Sequence, residues 1–111
     1  MTTVFAKIIR RELPADIVFE NERIIAFRDI NPIAPEHILI VTKKQIPNLQ
    51  SVAEEDLPLI AEMVAVGQQI AKKLGIDSGY RFITNNGPLA GQVVPHLHFH
   101  LIGGRKLNGL G

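Results

Sequence analysis

Three histidines spaced two residues apart are the most chemically suggestive feature of this 111-residue sequence. They are His96, His98 and His100, and they alternate with the apolar residues Leu97, Phe99 and Leu101. This alternation predicts a half-buried β-strand, because side chains two positions apart project from the same face of a strand. We therefore expect the apolar side chains to enter a core and the three imidazoles to line the opposite face.

Imidazole side chains suit two kinds of site. One is a metal site, because an imidazole nitrogen is a good zinc ligand. His37, the fourth histidine of the chain, could complete a three-imidazole set with either His96 and His98 or His98 and His100. The other is a site for nucleophilic and acid–base catalysis, because imidazole is a nucleophile and a proton carrier near neutral pH. The residue pattern alone leaves both kinds of site open.

The surroundings of the histidines favour an anionic substrate. His37 begins another predicted strand, and the loop before the three histidines contains Gly91 and Gln92. Glycine lets backbone N–H groups approach an anion closely, and no carboxylate cluster adjoins the histidines in the sequence. Phosphate is the natural candidate. A neutral histidine could attack phosphorus while neighbouring donors stabilise the developing charge and one of them protonates the leaving group.

The elements that position these residues can be read from apolar periodicity. Runs bounded by turn residues predict strands at residues 17–20, 24–29, 37–42 and 80–84, in addition to the histidine strand. Helical spacing predicts a short helix ahead of Pro14 and one long helix between Glu54 and Leu74. The order predicts an α+β fold with a mainly antiparallel sheet of about five strands and both helices on one side of it. The strand at 37–42 is apolar on both faces, so we place it centrally.

Composition narrows the class of protein. We expect a single domain over residues 1–111, with a loose tail at 106–111. The net charge of +1 gives no reason to expect binding to nucleic acid or to an anionic membrane. The absence of cysteine excludes disulfides, thiolate nucleophiles and cysteine-based zinc sites. The N-terminus does not resemble a signal peptide and no apolar run has membrane-spanning length, so we predict a cytoplasmic protein.

The run His96-Leu-His-Phe-His-Leu-Ile resembles the motif of the histidine triad (HIT) superfamily, in which three histidines alternate with apolar residues. Other segments resemble its Hint branch, the histidine triad nucleotide-binding proteins. These segments are Phe5-Ala-Lys-Ile-Ile-Arg, Ala26-Phe-Arg-Asp-Ile-Asn-Pro, Ala34-Pro-Glu-His and Gly91-Gln. The resemblance covers nearly the whole chain, with the tail as the exception.

This resemblance implies a HIT-like fold whose sheet continues across a homodimer. It also implies metal-independent hydrolysis, without a cofactor, of purine nucleoside phosphoramidates to AMP or GMP and an amine. By the family pattern, His98 attacks the α-phosphorus and becomes a nucleotidyl-histidine, which water then hydrolyses. His100 would bind phosphate and assist the leaving group, while His96 and His37 would orient the nucleophile and relay protons.

The resemblance also implies a nucleotide pocket. Asp29 would accept hydrogen bonds from the ribose hydroxyls, as a carboxylate can. Gln92 and the backbone at Gly91 and Val93 would hold phosphate oxygens, with Asn85 nearby. The wall of the base pocket would be apolar and would consist of Phe5, Ile8, Phe27, Ile30 and Leu39.

Departures from the Hint pattern limit what carries over. Val93 stands where many Hint proteins have a hydroxyl residue, and Gln45 where some have a further histidine. The tail lacks the tryptophan of animal Hint proteins, so the leaving-group preference does not carry over. Three alternatives stay open: a histidine-ligated zinc protein, a non-catalytic nucleotide-binding partner protein, and a dinucleoside polyphosphate hydrolase.

Overall fold

The computed structural model describes residues 2–110 and contains two α-helices and five strands over that range. In chain order the elements are α1 (Val4–Ile9), β1 (Ile17–Glu20), β2 (Ile24–Arg28), β3 (Glu36–Thr42), α2 (Leu57–Lys73), β4 (Tyr80–Ile83) and β5 (His98–Gly103). Every predicted element is present, with most boundaries shifted by one or a few residues. No helix in the described range is long and apolar enough to cross a membrane.

The five strands form one antiparallel sheet in the order β1-β2-β3-β5-β4. This confirms the predicted α+β fold and the central position of β3. In the β3–β5 pairing, Leu39 lies opposite His100 and Val41 lies opposite His98. Residues that lie opposite each other share a face, and so do residues two apart on one strand. The register therefore puts the side chains of His37, His98 and His100 on one face of the sheet.

The prediction that both helices lie on one side of the sheet is wrong. α2 packs on the face that carries Ile24 and Ile40, in the larger buried cluster. α1 packs on the opposite face, where Phe5 and Ile8 join a second cluster with residues of β2 and β3. The reason is that β2 and β3 are buried on both faces, so each face needs its own covering helix.

The histidine strand begins later than predicted. β5 starts at His98, and His96 lies in a bend ahead of it. The His96 N–H donates to the Val94 carbonyl at 2.8 Å, so this N–H pairs within the bend and not with a neighbouring strand. The predicted core residues of this run are confirmed, because all of them are buried in the α2-side cluster; they are Leu97, Phe99 and Leu101.

The predicted loose tail lies partly within the described residues. Residues 106–110 form no helix or strand, and residue 111 lies outside the described range. The Asn108 carbonyl nevertheless accepts a hydrogen bond from Arg81 Nη2 at 2.6 Å. The chain therefore has at least one contact with β4 beyond the last strand.

α2 packs against Phe82 of the sheet without room for a side chain at Gly67, which gives a stability prediction. A Cβ at Gly67 would lie 2.8 Å from Cε1 of Phe82, whose ring stacks on Phe99 with centroids 4.6 Å apart. We expect Gly67→Val to lower the free energy of unfolding by roughly 1–3 kcal/mol through overpacking, measured by urea denaturation. Gly79→Ala is the matched control, because a Cβ there meets nothing within 4 Å. Equal stability of the two variants would contradict this packing.

Candidate active site

The candidate active site lies on the α1 face of the sheet, where β3 and β5 run side by side. The rings of His98 and His100 have centroids 5.1 Å apart, and those of His37 and His100 are 5.2 Å apart. Phe5 of α1 meets the His98 ring edge-on, with centroids 4.9 Å apart. Three of the four histidines and one wall of apolar side chains thus meet at a single place.

The hydrogen bonds of His98 fix its tautomer. His98 Nδ1 lies 2.6 Å from the carbonyl oxygen of His96, and a carbonyl can only accept. Nδ1 therefore carries the proton, and in the neutral ring Nε2 keeps its lone pair. The carbonyl of His98 accepts from Thr84 Oγ1 at 2.6 Å, which anchors the backbone beneath the ring. A buried imidazole held in this tautomer presents Nε2 as a nucleophile.

A second chain of hydrogen bonds fixes the tautomers of His37 and His100. The Ile33 N–H donates to His37 Nδ1 at 3.2 Å, so the proton of His37 is on Nε2. His37 Nε2 lies 2.9 Å from His100 Nδ1 and donates to it, which leaves the proton of His100 on Nε2. Asp29 Oδ2 lies 3.4 Å from His37 Nε2 and faces the same proton. His100 Nε2–H is therefore a donor beside the nucleophile.

Burial lowers the pKa of all four histidines below the ordinary value of 6.5. For His100 the pKa falls to about 4, first through desolvation and then through the like charges of His98 and His37. The charge of Asp29 acts in the opposite direction on His37, His98 and His100. At neutral pH the site therefore contains neutral imidazoles, as the hydrogen-bond directions require.

These lowered pKa values predict how stability depends on pH. Between pH 6.5 and about 4 the unfolded chain binds a proton at His100 that the folded chain does not, so the free energy of unfolding falls as the pH falls. The loss ends once folded His100 is itself protonated. We expect urea denaturation to show a smaller decline across this range for His100→Gln than for the wild type. Parallel declines in the two proteins would contradict the lowered pKa of His100.

His96 has a different environment from the other two histidines of the triad. Its side chain is completely buried, and both ring nitrogens have partners. Nε2 donates to the Thr42 carbonyl at 2.8 Å, and Nδ1 lies 2.9 Å from Thr3 Oγ1. His96 therefore does not line an open face beside His98 and His100.

The arrangement matches a known family. A family model for the HIT domain matches residues 10–107 of the sequence. The chain belongs to the HIT family. An uncharacterized HIT-like protein of Synechococcus elongatus is 49% identical over 105 residues, which cover 95% of this chain and 92% of that protein.

Solved structures agree with this membership. The structure of a HIT family hydrolase from Clostridium thermocellum is similar with a TM-score of 0.94 and 44% identity, covering 98% of this chain and 96% of that one. A histidine triad nucleotide-binding protein from Candida albicans is similar with a TM-score of 0.82 and 30% identity, covering 99% of this chain and 86% of that one. The fold of this HIT protein thus has relatives described as hydrolases and as nucleotide-binding proteins.

The HIT protein has one group of side chains that could hold a metal ion among its described residues. One ligand atom from each of Asp29, His37 and His100 lies within 4.8 Å of the other two. This set differs from those considered from the sequence. His96 is not available as a ligand while Thr3 and Thr42 occupy both of its nitrogens. A zinc ion here would also displace the proton shared between His37 and His100.

Four of the five residues predicted to wall the base pocket lie together. Phe5, Ile8, Phe27 and Leu39 share the buried cluster on the α1 face. Ile30 lies apart from this cluster, on the surface after β2, with 90% of its area exposed. Ile8 also lines a groove of about 350 Å³, which continues over the segment after α1; its other lining residues are Arg11, Glu12, Leu13, Pro14, Ala15 and Ile17.

Much of the predicted phosphate loop is held by hydrogen bonds between its own residues. Gly91 has a φ of +94°, and its N–H donates to the Pro88 carbonyl at 3.0 Å. The Gln92 amide accepts from the Gly87 N–H at 2.7 Å and donates to the Pro47 carbonyl at 2.8 Å. In this conformation Gln92 braces the loop with its side chain, and its backbone N–H donates to Gly87 as well.

Three more of the predicted nucleotide-binding residues lie in the segments after β2, after β4 and before β5. Val93 is 89% exposed, and Asn85 is half-buried just after β4. Asp29 follows β2, and its N–H donates to the His37 carbonyl at 2.9 Å. Its Oδ1 accepts from the Asn31 N–H at 2.8 Å, which leaves Oδ2 directed towards His37.

Two threonines in the site were missed by sequence reasoning. Thr84 holds the backbone of His98, and nothing in the sequence marks that contact. Thr3 caps α1 by accepting from the Ala6 N–H at 3.0 Å. A threonine just before a helical run is a recognisable N-cap signal, so the capping role of Thr3 could have been predicted. Its bond to His96, 93 positions away, could not.

Proposed function

We propose that this HIT protein is a metal-independent purine nucleoside phosphoramidase of the Hint branch. It would cleave the P–N bond of AMP or GMP amine conjugates through a nucleotidyl-histidine. The observation that carries the proposal is the pair of fixed tautomers: His98 presents the lone pair of Nε2, while His100 beside it presents Nε2–H. A candidate nucleophile and a candidate proton donor thus lie side by side, with ring centroids 5.1 Å apart.

In the first step, His98 Nε2 forms a bond to the α-phosphorus as the bond from phosphorus to the amine nitrogen breaks. The electron pair of that bond goes to the amine, which takes the Nε2 proton of His100. The bound phosphate anion favours the charged form of His100, so this ring donates as an imidazolium and becomes neutral. The positive charge on the substituted His98 ring is stabilised by the His96 carbonyl, which accepts from Nδ1 at 2.6 Å. His37 Nε2 lies 2.9 Å from His100 Nδ1 and holds the donor ring in place.

In the second step, water replaces the histidine. The water oxygen bonds to phosphorus, the His98 Nε2–P bond breaks, and His100 Nε2 accepts the proton of the water. The nucleoside monophosphate is released, and both histidines return to their starting protonation states. The scheme uses no metal ion or cofactor, because the lowered pKa of His98 leaves the nucleophile neutral and His100 carries the proton in both steps.

The nucleotide would lie with its base along α1. Phe5 touches the His98 ring, and Ile8 is one helical turn further along, at the edge of the groove of about 350 Å³. The contact between Phe5 and His98 supports an apolar site for the purine on the α1 side of the nucleophile. Asp29 would accept from the ribose hydroxyls. The likeness to a nucleotide-binding protein supports the same class of ligand.

Three further predictions concern partners and location. Homodimer formation with a continued sheet would use an edge strand, β1 or β4, each of which pairs with one neighbour within the described residues. A cytoplasmic location and the absence of nucleic-acid or membrane partners also stay predictions. The net charge of +1 supports the absence of nucleic-acid and membrane partners.

The test compares two substrates in metal-free buffer. With a chelator present, we expect hydrolysis of adenosine 5′-phosphoramidate to be faster than that of a dinucleoside polyphosphate at equal concentration, measured by release of AMP. The reverse order would favour the dinucleoside polyphosphate hydrolase. Tight AMP binding without turnover of either substrate would favour the non-catalytic partner protein.

The zinc alternative retains one specific observation in its favour, the cluster of Asp29, His37 and His100. Chelation and zinc addition separate it from the proposed mechanism. If zinc activated a metal-free preparation that was inactive, the metal-independent mechanism would be wrong. We expect zinc to inhibit, because it would remove the proton that His37 shares with His100.

A further inference from the structure

The hydroxyl of Thr3 joins α1 to the histidine triad. Thr3 is 5% exposed and occupies the N-cap of α1, where Oγ1 accepts from the Ala6 N–H at 3.0 Å. The same oxygen lies 2.9 Å from His96 Nδ1. One buried hydroxyl therefore contacts both α1 and a histidine that lies 93 positions further along the chain.

The direction of the Thr3–His96 bond follows from the other side of the ring. His96 Nε2 is 2.8 Å from the Thr42 carbonyl, which can only accept, so Nε2 carries a proton. Burial keeps the ring neutral, and Nδ1 must then accept. The Thr3 O–H donates to Nδ1 while its oxygen accepts from Ala6. The hydroxyl has one proton to donate, and this bond uses it.

Fixing His96 also fixes the nucleophile. The carbonyl of His96 accepts from His98 Nδ1 at 2.6 Å, so a displacement of His96 would move the acceptor that orients the His98 ring. On the other side, Thr3 is two residues from Phe5, whose ring is edge-on to both His96 and His98 at centroid distances of 6.0 and 4.9 Å. Thr3 thus sets the position of α1 relative to the two rings.

We propose that Thr3 is a positioning residue for the reaction: its hydroxyl donates to Nδ1 of the His96 ring, whose tautomer the Thr42 carbonyl selects, and thereby holds His98 Nε2 in line for attack. The inference rests on the proposed function, since it takes His98 as the nucleophile. Thr3 itself contacts no substrate in this scheme. It lies outside residues 10–107, the part that matches the HIT family model.

The experiment compares Thr3→Val, Thr3→Ser and Thr2→Val with the wild type. Valine has the shape of threonine but leaves His96 Nδ1 without a donor and the Ala6 N–H without an acceptor. Serine keeps the hydroxyl, and exposed Thr2 is the matched control at the neighbouring position. The readouts are the single-turnover rate of nucleotidyl-histidine formation, AMP affinity, and nitrogen-15 NMR of the His96 ring, on proteins shown to be folded by circular dichroism.

We expect Thr3→Val to slow nucleotidylation by on the order of 10²-fold through misplacement of the nucleophile, with AMP affinity nearly unchanged. The nitrogen-15 resonance of His96 Nδ1 should shift, because this nitrogen loses its donor while the Thr42 carbonyl keeps the proton on Nε2. Thr3→Ser and Thr2→Val should retain the wild-type rate and the wild-type Nδ1 resonance.

Three outcomes would overturn the inference. The first is a wild-type rate or an unchanged His96 Nδ1 resonance in Thr3→Val. The second is a loss that Thr3→Ser shares, which would point to the methyl group. The third is a parallel loss of rate and AMP affinity, which would show that Thr3 only stabilises α1 and the base pocket. If the wild type itself forms no nucleotidyl-histidine, the proposed function fails, and the NMR result still decides whether Thr3 donates to His96 Nδ1.

Discussion

Replacing His98 with alanine is expected to reduce turnover of adenosine 5′-phosphoramidate by on the order of 10⁴-fold or more. His98 is the only triad histidine whose Nε2 lone pair is left free by its hydrogen bonds, because His96 Nε2 and His100 Nε2 both carry protons. No other ring can take over the attack without reversing a tautomer that its partners fix. The measurement is steady-state release of AMP, with AMP affinity recorded for the same variant.

The matched control is Phe99→Leu. Phe99 is the next residue of β5, but it faces the α2-side core. Its replacement is expected to lower stability and to leave most of the turnover intact. Turnover by His98→Ala above roughly one hundredth of the wild-type rate would show that His98 is not the nucleophile. A loss of AMP binding equal to the loss of turnover would instead assign His98 to ligand binding.

His100→Gln is expected to have the second largest effect, and its size should depend on the leaving group. His100 Nε2–H supplies the proton that an amine needs in order to depart, so for an alkylamine conjugate of AMP we expect a loss of about 10²- to 10⁴-fold. A nitrophenyl ester of AMP departs without a proton, and for this substrate the loss should be much smaller. The measurement is kcat/KM for the two substrates.

The comparison between substrates serves as the internal control. A general loss of folding or of nucleotide affinity in His100→Gln would lower kcat/KM for both substrates by the same factor. Equal factors would therefore contradict the assignment of His100 as the proton donor. A second check is His37→Gln, which removes the ring that donates to His100 Nδ1 and should give a weaker version of the same leaving-group dependence.

The sequence predicted burial best where the apolar pattern depends only on neighbouring residues. The alternation in residues 97–101 correctly predicted which side chains enter the core, because the two-residue period of a strand is set by the backbone. The covering helices were harder to assign. Residues 24–28 and 36–42 are apolar on both faces, so their pattern cannot say which helix lies on which side.

Within the site, sequence reasoning failed where a partner comes from a distant part of the chain. The spacing of His96 predicts a place beside His98 and His100, yet its side chain is buried between Thr3 and Thr42. The Gln92 side chain bonds to Gly87 and Pro47, which no motif indicates. Such contacts depend on how loops fold over the sheet and have no period in the sequence.

By contrast, the closeness of His37 and His100 follows directly from strand pairing. Leu39 lies opposite His100, and His37 is two residues from Leu39 on the same face. Once β3 and β5 are known to be antiparallel neighbours in this register, the two imidazoles can be predicted to lie close enough for a hydrogen bond. The sequence supplied the two strands but not the register that joins them.

Covalent catalysis by His98 is tested most directly by a mass spectrum of the protein quenched during turnover of adenosine 5′-phosphoramidate. His98→Ala is treated in the same way. We expect the wild type to gain the mass of one adenylyl group and peptide mapping to locate it on His98, with no added mass on the variant. An active wild type that never carries the group, or that carries it on a residue other than His98, would contradict covalent catalysis by His98.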